Sequence, residues 1–294
     1  MMKHFGLIAL SVLSLISCKN FEKPEPKSDT ALVEDSIQKS EVKLYTLNGG
    51  EIQVNNKNLF AQGDTYKGDT IVLADAFYVI KHPKGNLIWD TGLSEELVGK
   101  EPKSVNEGAL VLSRKDSLSV QLDQIGLTPS DFDFIAFSHI HFDHTGGGNY
   151  FKDSTWLIQD TEYAFATGEE IKSQGFYNTN DFKALKNVKQ LKGDFDVFDD
   201  GTVIIKSYPG HTPGHQALFL DLVNSGPILL SGDVYHFEEN RENKIIPQFN
   251  HDIPQTEQSI EQFEQFVSDK RAKVYIQHDA KHFNRMPKSP KFIN

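Results

Sequence analysis

Ser138-His139-Ile140-His141-Phe142-Asp143-His144-Thr145-Gly146-Gly147-Gly148 decides the reading of this 294-residue chain. The stretch follows directly on Phe132 to Phe137, an apolar run that the turn Thr128-Pro129-Ser130-Asp131 introduces and that reads as a short buried strand. Strand, polar cluster and glycine loop therefore arrive in that order. His139 and His141 are two apart, so in extended backbone their side chains leave the same face and can close on one metal ion. Asp143 and His144 enter a tighter turn, where adjacent residues can point toward a neighbouring position. With 11 histidines in the chain, H-x-H-x-D-H would arise by accident in on the order of one chain in a thousand.

Working outward, three more apolar runs end in a possible ligand. Val203 to Ser207 leads into Tyr208-Pro209-Gly210-His211-Thr212-Pro213-Gly214-His215-Gln216, Ile228 to Leu230 into Ser231-Gly232-Asp233, and Val274 to Ile276 into Gln277-His278-Asp279. Each donor follows a predicted strand, so all of them could line one edge of a sheet. Upstream, Ile71 to Ile80 is apolar and β-prone, Lys81 to Asn86 reads as a turn, and Leu87-Ile88-Trp89 resumes as strand before Asp90-Thr91-Gly92. Trp156 to Ile158 and Ala217 to Leu220 are further strands. Leu118, Val120, Leu122 and Ile125 give a helix-like pattern that stops at Gly126, and Ile253 to Val267, with Pro254 near its start, is a late helix carrying Ile260, Phe263 and Phe266 on one face. Strands alternating with helices favour layered α/β structure.

A hydrophobic content of 38% with 24% charged residues supports one folded domain. The net charge of -11 and the lack of a concentrated basic stripe argue against a nucleic-acid partner. The single cysteine, Cys18, excludes a thiolate-rich metal site, so ligands must be His, Asp or Glu. Cys18 follows Lys3, an apolar run from Phe5 to Ile16, and Ser17; Leu15-Ile16-Ser17-Cys18 resembles the lipobox of bacterial lipoproteins. The expectation is a signal peptide over residues 1–17, a Pro-punctuated tether over 18–40 whose lipidated Cys18 anchors the protein to a cell-envelope membrane after export, and a folded domain over 41–294. An ordinary cleaved signal and an uncleaved anchor are the alternatives.

H-x-H-x-D-H followed by glycines, and the later His211, Asp233 and His278 in order, resemble the metallo-β-lactamase superfamily. The resemblance runs from about Glu41 to Lys281. It implies a four-layer αββα sandwich of two similar halves and two divalent metal ions, zinc first, with iron, manganese and cobalt also compatible with the donors. By matching positions, one ion takes His139, His141 and His211, the other Asp143, His144 and His278, and Asp233 is shared. Asp90 matches an early D-T-G whose carboxylate supports a metal-bound histidine, the alternative being a turn cap. His215 could support the site or be a loop residue. His4, His82 and His251 have no assigned role, and His282 is expected at the surface.

Within the superfamily, Phe77 to Ile80, Trp89 to Gly92, Ser138 to Gly147 and Tyr208 to Gln216 are most similar to the N-acyl homoserine lactonases, the quorum-quenching branch. That implies a small-molecule lactone substrate, opened by metal-bound hydroxide, with Asp143 or water supplying a proton to the leaving alkoxide. The branch usually has a tyrosine three residues after the bridging aspartate, contacting the substrate carbonyl. Here that residue is His236, with Tyr235 before it, so either could be the donor. Phe142, Phe237 and Phe249 are candidates for an acyl-chain groove, with core packing the expected job for any one of them. Alternatives are a phosphotriesterase or arylesterase, a thioesterase, a β-lactamase, or a non-catalytic secreted binding protein on the same fold. No G-x-S-x-G motif suggests a serine hydrolase.

Overall fold

The computed structural model describes residues 41–294; the expected signal peptide, the tether and Cys18 lie outside the described residues. The first sheet begins as an antiparallel meander of β1 (Lys43–Val54), β2 (Ile71–His82) and β3 (Gly85–Trp89). A hairpin of β4 (Lys103–Val105) and β5 (Leu110–Ser113) joins the far edge of β1. After α1 (Leu118–Asp123) the chain adds β6 (Phe134–Ala136), α2 (Phe142–Thr145), β7 (Thr155–Gln159), α3 (Asp160–Thr167) and β8 (Val188–Leu191). β6, β7 and β8 pair in parallel beyond β3, giving the order β4-β5-β1-β2-β3-β6-β7-β8.

The second sheet holds β9 (Phe195–Asp196), β10 (Val203–Ser207), β11 (Gln216–Leu222) and β12 (Gly226–Leu230). α4 (Glu238–Asn243) and α5 (Ile253–Lys270) precede β13 (Lys273–Tyr275), and α6 (Ala280–Arg285) follows it; the order is β13-β12-β11-β10-β9. β11 runs antiparallel to both β10 and β12, whereas β13 is parallel to β12. β10, β12 and β13 therefore point the same way, and their C-terminal ends share one edge.

Alternation along the strands decides what each face covers. Tyr78, Ile80, Leu87 and Trp89 of the first sheet pack against Ile205, Leu218, Leu220 and Leu230 of the second. The neighbouring Phe77, Val79 and Ile88 face the other way and are covered by Leu118 and Leu122 of α1 and Phe165 of α3. On the outside of the second sheet Phe219, Leu229 and Val274 receive Ile260 and Phe263 of α5. Both sheets are buried on two faces, which is why their strands read as unbroken apolar runs. Full burial of Phe263 contributes roughly 1.5–3 kcal/mol. The four layers are helix, sheet, sheet and helix, as anticipated, although the sheets are unequal, with eight and five strands.

The chain closes on its own start. Beyond the reach of β5, the edge of β1 is paired by the C-terminal segment: Leu44 N donates to Ile293 O, Ile293 N to Leu44 O, and Ser289 N to Thr46 O, at 2.8, 2.9 and 3.0 Å.

Candidate metal centre

The loops that leave β3, β6, β10, β12 and β13 at their C-terminal ends converge on one buried polar cluster. Two seams bring the sheets together there. Gln216 N donates to Ser138 O at 2.8 Å and its side-chain amide to Phe137 O at 2.9 Å, so the start of β11 is stitched to the end of β6. Gly232 has a φ of 52°, and a Cβ there would come within 2.6 Å of His215 Nε2, so only glycine lets the turn bring Asp233 under that ring.

His139 Nε2, His141 Nδ1 and His211 Nε2 face one another at 2.8 to 3.2 Å. His144 Nε2 and His278 Nε2 lie 3.2 Å apart with Asp143 oxygens 3.8 Å from each. Asp233 lies between the two groups. Its Oδ2 is 3.4 Å from His211 Nε2 and 3.8 Å from His139 Nε2, and its Oδ1 is 3.2 Å from His278 Nε2 and 3.6 Å from His144 Nε2. All seven residues assigned from the sequence are thus brought together, as the sets His139, His141, His211, Asp233 and Asp143, His144, His278.

The chemistry of the donors suits divalent cations. In four of the five rings the nitrogen away from the cluster already has a partner. His211 Nδ1 donates to Asn250 Oδ1 at 2.9 Å, His278 Nδ1 to Ala74 O at 2.8 Å, and His139 Nδ1 meets Ser138 Oγ at 3.1 Å. His144 Nδ1 lies 3.3 Å from Asp90 Oδ2. The inward nitrogens are therefore turned toward one another, an arrangement that a divalent ion satisfies by displacing any proton they carry and that outer hydrogen bonds of this kind maintain.

Electrostatics separate the two sets. Burial holds the pKa values of His139 and His211 well below the ordinary histidine value and lowers that of His141 to about 3, so these rings are neutral. For His144 and His278 burial acts in the same direction but is outweighed by carboxylates, Asp90 foremost for the first and Asp233 for the second. His144 is held well above its usual value and His278 at about 9. Burial alone would raise the Asp233 carboxyl, yet the imidazoles around it, His278 and His236 first, hold it well below the usual range.

Two supporting residues are placed as chemistry requires. Asp90, at a φ of 58° that non-glycine residues seldom adopt, accepts from Ser138 N at 2.7 Å through Oδ1 and from Gln277 Nε2 at 2.8 Å through Oδ2. It is a brace for His144 rather than a turn cap. His215 is buried; its Nδ1 donates to Tyr208 O at 3.1 Å and its Nε2 accepts from Asp233 N at 2.8 Å. That bond sets the tautomer and fixes the backbone that carries the Asp233 carboxylate.

His236 and Tyr235 part company. His236 Nε2 is 3.0 Å from Asp233 Oδ2, and its buried Nδ1 has no partner among the described residues. Tyr235 points away: its hydroxyl donates to Glu264 Oε1 at 2.9 Å and its ring packs on Phe263 beneath α5. The expectation that Tyr235 could be the donor is corrected here, because successive residues of extended backbone face opposite sides and only one can meet the cluster. Phe142 and Phe249 line the cavity over Asp143, Asp233 and His278, together with Phe60 and Phe176. Phe237 does not; it is core, packed on Phe60 and Tyr66. His282 is buried rather than exposed, since its Nδ1 accepts from Ile276 N at 2.9 Å. His82 stacks on Phe198 and meets Asp200 at 2.9 Å, a structural role distant in sequence from every ligand.

Two buried acids of this region were not singled out from the sequence. Asp75 accepts from Leu93 N at 2.7 Å, and burial raises its carboxyl to about 7; a lone acid inside the apolar run Ile71 to Ile80 was the available signal. Glu162, on α3, has no local signal at all.

The Metallo-beta-lactamase superfamily profile matches residues 73–278, more than half of the chain. N-acyl homoserine lactonase AttM of Rhizobium radiobacter is 30% identical over 264 residues, covering 86% of this chain and 99% of its own length. N-acyl homoserine lactonase AiiA of Bacillus thuringiensis subsp. kurstaki is 27% identical over 256 residues, 85% of this chain and 98% of that protein. A solved N-acyl homoserine lactone hydrolase with the product N-hexanoyl-L-homoserine at its catalytic metal centre superposes with a TM-score of 0.76 at 26% identity, over 87% of this chain and all of that one. Sheets, ligand set and full-length similarity agree, and this chain belongs to the metallo-β-lactamase superfamily.

Proposed function

We propose that this protein is a dinuclear metal hydrolase that opens the lactone ring of N-acyl homoserine lactones. The observation that carries the reading is Asp233, whose two oxygens face two separate donor sets at the floor of an apolar cavity. The similarity to N-acyl homoserine lactonases along almost the whole folded domain supports the substrate class. Two divalent ions, zinc first, held by His139, His141, His211, Asp233, Asp143, His144 and His278, would activate water and polarise the lactone carbonyl.

The chain's own residues supply the rest. Phe142, Phe176 and Phe249 exclude water above the cluster and offer the acyl chain an apolar wall. No Lys or Arg lines this cavity among the described residues, which suits a neutral lactone better than an anionic thioester. His236 spends Nε2 on Asp233, so Nδ1 is the atom that would meet substrate, donating to its carbonyl oxygen when the ring carries both protons. Asp143, partly exposed at the cavity, would take a proton from the attacking water and return it to the leaving oxygen.

The test is a hydrolysis panel on metal-loaded protein: acyl homoserine lactones, an organophosphate triester, a lactoyl thioester and a β-lactam. Lactone opening should exceed the others by orders of magnitude in kcat/KM. A preference for any of the other three would replace the substrate assignment while leaving the metal centre standing. The lipobox-like stretch at Cys18 supports an exported, envelope-anchored enzyme, meeting its substrate outside the cytoplasm.

A further inference from the structure

Glu162 sits in the first turn of α3 with 1% of its surface exposed. Its Oε1 accepts from Ile140 N at 3.1 Å, the amide between His139 and His141, and its Oε2 accepts from Gly214 N at 2.7 Å, three residues after His211. One carboxylate thus grips both loops that carry the three imidazoles of the first donor set, and those loops leave different sheets. The approach is tight: a Cβ on Gly214 would lie 2.6 Å from Glu162 N and Cβ, so glycine is what admits α3 here. No cationic side chain is paired with Glu162 among the described residues. Burial pushes its carboxyl up to about 7 despite the two amide hydrogen bonds. A buried carboxylate without a counter-ion is costly to keep. It stands behind three neutral imidazoles that bring no negative charge to a divalent ion.

We propose that Glu162 is a positioning residue for the first metal, locking the His139–His141 segment and the His211 loop at the separation one cation needs. The inference rests on the metal reading of the site and adds a residue that touches neither metal nor substrate.

Glu162→Gln keeps the shape but sets an NH2 against one of the two amides. Competition with a chromophoric chelator should show one of the two ions bound roughly ten- to a hundredfold more weakly, the size of effect usual for outer-sphere partners. The second ion should be unaffected. The visible absorption of the cobalt-substituted protein should lose the contribution of one site, and kcat should fall while KM changes less than about twofold. Melting of the metal-free variant should match that of the unaltered chain. Equal weakening of both ions, or a matching loss of metal-free stability, would make Glu162 a general brace and overturn the proposal, as would unchanged affinity for both. If the unaltered chain binds no divalent ion, the metal reading itself fails instead. Should the variant not fold, amide exchange in the unaltered chain decides: metal addition should slow Ile140 and Gly214 together, and an indifferent pair would refute the lock.

Discussion

His236 Nε2 lies 3.0 Å from Asp233 Oδ2, three residues further along the same loop, with both side chains almost wholly buried. The imidazole is therefore fixed against the carboxylate that spans the two donor sets. Its Nδ1 has no partner among the described residues, and in the proposed reaction it donates to a substrate oxygen when the ring carries both protons. A well-aligned polar contact to an oxygen that gains charge is worth about 3 kcal/mol, about a hundredfold in rate. His236→Phe should lower kcat by that order while the protein still retains two ions by elemental analysis. Tyr235→Phe, which removes one hydrogen bond from a Glu264 still paired with Arg241 on the far side, should leave kcat within about twofold and cost about 1 kcal/mol in denaturant unfolding. Unchanged turnover in His236→Phe would remove this residue from the reaction.

Metal content tests the shared carboxylate. The protein should carry two divalent ions per chain, and removal by a chelator should abolish hydrolysis, with recovery on adding zinc. Asp233→Ala should deplete both sites, whereas His211→Ala and His278→Ala should each deplete chiefly one, because their rings belong to different donor sets. Equal depletion in all three variants would contradict the partition.

Asp90 supports His144 from behind, accepting from Ser138 N and Gln277 Nε2 as well. Asp90→Asn should weaken one ion roughly tenfold to a hundredfold. Its strained φ of 58° adds a second check, since Asp90→Gly should relieve the strain but still lose the metal effect. Full affinity in Asp90→Gly would show that backbone geometry, not the carboxylate, matters there.

Asp181 gives a pH dependence away from the metals. Burial raises its carboxyl to about 6, against the lowering effect of the hydrogen bond from Asn178. A folded pKa above the unfolded one means that this group's contribution is present in acid and is lost as pH rises from about 4 through 6. Asp181→Asn should therefore melt close to the unaltered chain at pH 4 and above it at pH 8, both measured metal-free. A variant that is less stable at pH 8 than at pH 4, relative to the parent, would reverse the sign and refute the argument.

The N-terminal proposal has its own measurement. Expressed in a bacterium with lipoprotein export, the mature chain should begin at Cys18 and carry acyl groups by mass spectrometry, and Cys18→Ser should release it from the membrane fraction. A native chain that starts at Met1, unmodified, would end the proposal.

Much of the site was legible because its residues obey local rules. His139, His211, Asp233 and His278 each follow an apolar run, and such runs are what strands buried on both faces look like. β1 was hidden: Gly49 and Gly50 interrupt its apolar pattern, and the structure shows a register shift at that point. β8 and β9 are too short and polar to declare themselves, and α3 keeps Glu162 on a face whose importance depends on loops far away in sequence. The surface expectation for His282 fails for the same reason, while Phe237 takes the core place that stood beside the groove for all three phenylalanines. Whether a histidine or phenylalanine is covered is decided by Ile276, Tyr66 and Phe60, which no local pattern brings near them.

The pairing of Ile293 with Leu44 matters for handling the protein as well as for its shape. With residues 288–293 in place, the outer side of β1 near its beginning has no free row of amides and carbonyls. Truncation after Pro287 would expose that row on a long, mostly buried strand, a template to which a second molecule could add. A shortened protein should therefore self-associate with its metal ligands still present, so solubility would fail before chemistry does. Affinity tags that pull on the last residues would work against the same seam.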